Sequence, residues 1–230
     1  MRIVKTAALG GALVLSGALL VPATHASAAR PAALPAALPA VVAPRTVYVD
    51  VDGDRHADEV TVEQNGPNTF VVNVVTHAGA DDVAQVTSTI DDDWGIEPWY
   101  GAAKLDKVKG YELLLLTSGG DGVMFRVLTW RNGALVAQRA PKTLMKGSHD
   151  WYLASLGWAR FGYRFTSVNG HRYVRDFELY ASGKYWKGTI VKSVWKAGAW
   201  KKVSSKKVKL TKSQAKRYNG ISGVTIIARP

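Results

Sequence analysis

The chain has 230 residues, with 30 Lys and Arg against 18 Asp and Glu, a net charge of +12, an isoelectric point near 9.9 and no cysteine. Disulfides and a lipid-modified cysteine are therefore excluded, which leaves stability to the core and to whatever the native state binds. Such a basic balance points to anionic partners rather than cationic ones.

The first residues read as an export signal. Arg2 and Lys5 form a positive segment, Ala7 to Val21 an apolar one, and Ala26-Ser27-Ala28 a small-residue cleavage site, so 1–28 is expected to be a signal peptide and the protein secreted. The apolar segment is short of the roughly 20 residues a membrane-spanning helix needs. Residues 29–45 form a Pro/Ala-rich linker, with Pro31, Pro35, Pro39 and Pro44 and almost no polar side chain. That composition favours extended or disordered chain and builds no core. The folded part is expected over 46–230.

Its first feature is Asp50-Val51-Asp52-Gly53-Asp54-Arg55-His56-Ala57-Asp58, between the β-forming runs Thr46 to Val49 and Val60 to Val62. Four carboxylates fall at relative positions 1, 3, 5 and 9, the carbonyl of position 7 is free to join them, and a glycine sits in the bend. Hard cations such as calcium take six to eight oxygens at about 2.3–2.6 Å, and this spacing supplies them. Carboxylates ~4 Å apart repel by roughly 1 kcal/mol per pair even at water-like dielectric, so a cation relieves the loop. The plainer alternative is a solvated turn, because Asp and Gly are ordinary turn residues. An EF-hand is excluded: position 12 is Thr61 rather than a bidentate Glu, and strands flank the loop.

The segment DVDGDRHADEV resembles the DxDGDGxxD loop of FG-GAP and VCBS repeats, the calcium-binding repeats of integrin-α-like propellers. That resemblance implies a loop joining two strands of a blade, with Asp50, Asp52, Asp54 and Asp58 as side-chain ligands and the His56 carbonyl as a fifth. One position departs from the family pattern. Arg55 stands where glycine is usual, at a place that often needs φ > 0.

Strand signals dominate the remainder. Thr69 to Thr76, Val83 to Ile90, Tyr111 to Thr117, Val123 to Trp130, Trp151 to Ala159, Tyr163 to Val168, Tyr173 to Tyr180, Gly188 to Trp195 and Ala199 to Leu210 are β-branched or aromatic runs bounded by turn residues. Asn65-Gly66, Asn132-Gly133 and Asn169-Gly170 predict tight hairpin turns, and Thr211 to Arg217 is the one predicted helical turn, with Thr211 as N-cap. Two internal repeats appear. Laying 104–113 over the first loop, a spacing of 54 residues, puts Asp106 on Asp52 and Glu112 on Asp58. Lys104 and Val108 replace the other acids, so this second loop is expected to have lost its metal, with a lysine ammonium standing in for the ion. The other repeat matches Trp130-Arg131-Asn132-Gly133-Ala134-Leu135 with Trp195-Lys196-Ala197-Gly198-Ala199-Trp200.

The expected fold is therefore all-β: two or three antiparallel blade-like β-sheet repeats in a partial propeller or sandwich-like arrangement. Within it, 46–100 carries the calcium loop, 101–141 is a degenerate second repeat and 142–230 a basic, aromatic-rich unit. Residues 46–103 hold twelve acids against Arg55 alone, whereas 142–230 hold nineteen Lys and Arg against three acids. Lys201, Lys202, Lys206 and Lys207 lie in the densest basic stretch, a surface for an anionic cell-wall polymer or glycan; exposed-strand lysines also serve simply to block edge-to-edge aggregation. Nucleic acid is disfavoured, since arginine is scarce there and no binding motif accompanies the lysines. Among the aromatics, Tyr185-Trp186 is the expected exposed pair for stacking on a sugar. No triad, phosphate loop or zinc spacing occurs, so the protein is expected to be a non-catalytic calcium-binding interaction module. The rival is a secreted hydrolase of a polysaccharide or another cell-wall polymer, with acids from Asp91, Asp92, Asp93 or Glu97.

Overall fold

The computed structural model describes residues 43–89, 98–141 and 149–229, all within the compact unit Ala40–Pro230. The signal-like segment, most of the linker, and the rival hydrolase's acids Asp91, Asp92, Asp93 and Glu97 lie outside the described residues.

The all-β expectation holds. Strands β1 (Arg45–Val49), β2 (Asp58–Gln64), β3 (Thr69–Val75) and β4 (Asp81–Thr87) form a four-stranded antiparallel meander in the order β1-β2-β3-β4. Strict alternation fixes its buried face: Val60 and Val62 of β2 and Val72 and Val74 of β3 are core, and their neighbours in sequence face outward.

The second sheet is built from β5 (Trp99–Ala103), β6 (Glu112–Ser118), β7 (Val123–Arg131), β8 (Ala134–Ala137), β9 (Trp151–Ser155), β10 (Ala159–Val168), β11 (His171–Ser182), β12 (Tyr185–Lys196), β13 (Ala199–Thr211), β14 (Gly220–Ser222) and β15 (Ile226–Ile227). Its order is β13-β12-β11-β10-β9-β7-β6-β5-β15, with β8 on β7 and β14 on β10. Every described strand after residue 98 thus belongs to one sheet. The reason is the β7–β9 ladder, Val123↔Leu153 to Phe125↔Trp151, which joins the second and third expected units.

The run Leu113-Leu114-Leu115-Leu116 is apolar without alternation because β6 is covered on both faces. Leu113 and Leu115 pack with Val60, Val72, Leu128 and Trp130 toward the four-stranded sheet. Leu114 and Leu116 pack with Phe125, Trp151, Tyr163 and Phe165, where the far part of the same sheet folds back over β5–β7. Burial of each leucine contributes about 1.5–3 kcal/mol.

Two of the three predicted Asn-Gly turns have both residues at positive φ: Asn132 (55°) with Gly133 (81°), and Asn169 (48°) with Gly170 (78°). At Asn65-Gly66 the loop is longer, closed by Asn65 N–H to the Thr69 carbonyl, because Pro67 has no N–H with which to close a two-residue turn. The matched hairpins are equivalent: Arg131↔Ala134 and Lys196↔Ala199 flank two-residue turns. Ala197 occupies the left-handed position, φ 52°, that Asn132 fills in the other copy. Left-handed backbone costs a Cβ-bearing residue roughly 1–2 kcal/mol, less for Asn. Ala197→Asn should therefore raise the urea midpoint, by about 0.5–1 kcal/mol of added stability.

The predicted helical turn is α1 (Lys212–Ala215), with Thr211 and Gln214 forming a capping box. It covers Trp186, which is 5 % exposed and packs with Phe177, Leu179 and Ala215. The expected exposed pair is thereby corrected: Trp186 is core, with the Arg160 guanidinium 5.0 Å from its ring centre. Tyr185 is half-buried, with the Lys209 ammonium 4.1 Å from its ring centre.

Candidate metal centre

The acidic loop connects β1 to β2, and Asp58 is the first residue of β2. Fully buried Asp58 organises the bend: Oδ2 accepts from Val51 N–H at 2.6 Å and Asp52 N–H at 3.4 Å, and Oδ1 accepts from His77 N–H at 2.8 Å. A carboxylate has about four lone-pair sites, so one stays open for a cation. Asp50 Oδ1 accepts from Gly53 N–H at 2.6 Å, and Asp52 Oδ1 from Asp54 N–H at 2.9 Å, which turns both side chains inward. As a result, oxygens of Asp50, Asp52 and Asp58 lie within 4.8 Å of one another, a separation that a cation with ~2.4 Å bonds bridges. Burial and the charges of Asp58, Asp54 and Asp50 push the Asp52 carboxyl above its ordinary range, against the pull of the Asp54 N–H.

Asp54 is not part of this group of three. Its carboxylate accepts from His56 N–H at 2.7 Å and lies 3.4 Å from the His56 ring, and these contacts hold its pKa low. The His56 ring stacks on His77 with centroids 4.3 Å apart. Arg55 has φ 79°, the left-handed conformation that the glycine of the family pattern would adopt without strain.

The second loop repeats two hydrogen bonds of the first. Leu105 N–H donates to Glu112 Oε2 as Val51 N–H does to Asp58, and Val108 N–H donates to Asp106 Oδ1 at 2.7 Å as Asp54 N–H does to Asp52. Lys107 takes φ 71° where Gly53 takes 82°. The two loops also touch. Tyr111 N–H donates to the Asp50 carbonyl at 2.9 Å, and a side chain at Gly53 or Gly110 would strike the other loop's backbone.

The cation in the second loop is Arg131. Its guanidinium lies 2.6 Å from Asp106 Oδ2 and 3.3 Å from Glu112 Oε1, and Gln138 Nε2 adds a bond to Asp106 at 2.8 Å. This corrects the expectation of a lysine: the Lys104 ammonium lies instead 4.6 Å from the centre of the Tyr111 ring. The clue in sequence was an arginine ending the apolar strand β7, since a charge at a core edge needs a partner.

One guanidinium serves two buried carboxyls. Burial first, then the Asp106 charge, raises Glu112 to about 8, outweighing Leu105 N–H and Arg131. A carboxyl raised on folding adds stability that is full below its unfolded pKa and is lost as pH rises through the folded value. Melting temperature should therefore fall between about pH 5 and pH 8, and Glu112→Gln should flatten that slope in a differential scanning calorimetry series.

Of the remaining candidate residues, Lys201, Lys202, Lys206 and Lys207 are all exposed on β13, the terminal strand of the large sheet. They lie far along the chain from the acidic loop and in a different sheet. Among the described residues, fold and loops together define a two-sheet β protein with one candidate cation site and one related loop filled by a guanidinium. No family model, curated protein or solved structure matches the chain.

Proposed function

We propose that this chain is a secreted, non-catalytic, calcium-binding β-repeat protein of the FG-GAP/VCBS kind, acting as an extracellular interaction module. Calcium held by Asp50, Asp52 and Asp58 braces the junction between the four-stranded sheet and the large one, and the exposed lysines of β13 meet an anionic cell-wall polymer or glycan. The observation that carries the reading is the pair of loops. A second loop that shares two hydrogen bonds with the first, 54 residues on, closes around a positive charge supplied by Arg131, whereas the first loop brings three carboxylates together with no basic side chain bonded to them among the described residues. Unneutralised carboxylates this close cost energy, and a divalent ion is the chemistry that their oxygens accept. The test is thermal melting in chelator and in millimolar calcium. A rise that vanishes in Asp50→Asn/Asp52→Asn supports the reading, and superimposable curves remove it.

A further inference from the structure

Trp158, between β9 and β10, and Tyr180, in β11, are 57 % and 41 % exposed, and their rings run nearly parallel, with planes at 21° and centroids 6.4 Å apart. Both are held in place. The Tyr180 ring meets buried Phe161 at 82° with centroids 5.4 Å apart, and its hydroxyl donates to Glu178 Oε1 at 3.1 Å. Ala181 N–H donates to the Trp158 carbonyl at 2.7 Å, which ties the bend that carries Trp158 to β11. Single exposed hydrophobics are ordinary, but two exposed rings fixed side by side form an apolar platform that is ordered before anything binds.

Register puts cations beside that platform. Residues directly opposite in an antiparallel ladder share a face of the sheet. Tyr180 lies opposite Lys187, which lies opposite Lys209; one row along, Glu178 lies opposite Thr189, which lies opposite Lys207. From Tyr180 to Lys209 is two strand spacings, roughly 10 Å. The three lysines are exposed, and with Thr189 they line a depression of about 440 Å³. Glu178, half-buried, is the one acid in these two rows.

The chemistry of the face narrows its occupant. Exposed aromatic rings accept the C–H face of a pyranose, lysines call for anionic groups, and Thr189 and Glu178 supply acceptors for hydroxyls. Single-stranded nucleic acid also combines stacking with basic charge, but a carboxylate within the rows opposes a chain with a phosphate on every unit. We infer that this face binds an acidic polysaccharide, with Trp158 and Tyr180 stacking on its sugar rings and Lys187, Lys207 and Lys209 meeting its anionic groups. The inference rests on the proposed contact between the basic surface and an anionic polymer, and needs no cation in the acidic loop. The stacking role expected of Tyr185-Trp186 passes to Trp158 and Tyr180.

The experiment is isothermal titration calorimetry of the full chain, in chelator, with polygalacturonate, dextran sulfate, unmodified dextran, oligothymidylate and polyphosphate in turn. Saturable binding of at least one of the two acidic polysaccharides is expected, weakening with added salt, and none of dextran. Trp158→Ala should weaken it at least about fivefold, and Lys187→Gln/Lys207→Gln should weaken it and reduce its salt dependence. Both variants change exposed side chains, so their melting temperatures should stay within about 2 °C of the parent's. If Trp158→Ala binds acidic polysaccharide as the parent does, the platform is overturned, while the proposed contact of the lysines with an anionic polymer stands. Tighter binding of oligothymidylate or polyphosphate than of either acidic polysaccharide overturns the inference in the same way. If no polymer binds, the inference and that contact fall together, and calcium binding is still judged by its own melting curves.

Discussion

Replacing Arg131 with methionine should lower the melting temperature by about 10 °C, at roughly 2–4 °C per kcal/mol for a domain of this size. Methionine keeps much of the apolar stem and removes the guanidinium. Asp106 is 1 % exposed and Glu112 fully buried, and with the cation gone Asp106 retains only the Val108 and Gln138 N–H groups. Removing one partner of a buried ion pair costs about 3–5 kcal/mol, because the other charge stays behind without compensation. Two further variants isolate the cause. Arg131→Met/Asp106→Asn should recover most of the loss, since a neutral amide in that frame leaves no orphaned charge. Arg131→Lys should recover less, because an ammonium lacks the planar fork that reaches both carboxyls. A loss under about 1 kcal/mol in Arg131→Met, measured by urea unfolding, would show that the guanidinium sits at an exposed pair rather than at the centre of the loop.

The acid spacing of both loops was legible in the sequence because it is local: each loop's frame bonds residues seven and two apart, as in Val51 to Asp58 and Asp52 to Asp54. The hairpins at Asn132 and Asn169 were legible for the same reason, with turn chemistry deciding them inside four residues. What sequence reading missed is non-local. Arg131 reaches Asp106 from 25 positions away, across a ladder whose register no local pattern states, so a nearer lysine was expected in its place. Trp186 looks surface-like beside Gly183 and Gly188 until α1 lies across it from the far end of β13. Strand β5, Trp99-Tyr100-Gly101-Ala102-Ala103, ends in three poor strand formers, and β6 and β15 pair with it on either side. The single large sheet has the same origin, since the β7–β9 ladder links segments separated by a long connection.

Millimolar calcium should raise the melting temperature by about 5–10 °C. A ligand at a hundred times its dissociation constant adds about 2.7 kcal/mol to the native state, and a domain of this size gains roughly 2–4 °C per kcal/mol. Asp50→Asn/Asp52→Asn should abolish the gain, and in chelator the same variant should melt no lower than the parent. The asparagine oxygens still accept from Gly53 and Asp54, so the loop frame survives, while repulsion of roughly 1 kcal/mol per close pair is removed. The two melting curves should therefore exchange order between chelator and calcium, which simple damage to the loop would not produce. Asp54→Asn tests the outer ligand that the family resemblance implies. The Asp54 carboxylate lies with His56 rather than in the group of three, so this variant should keep most of the gain, and losing all of it would mean that the loop closes further on the ion. Arg55→Gly should act in the opposite direction. It relieves a left-handed arginine and takes one positive charge from the rim, so calcium should bind more tightly and the half-saturating concentration should fall several-fold, provided that the ion occupies the bend that Asp50, Asp52 and Asp58 enclose.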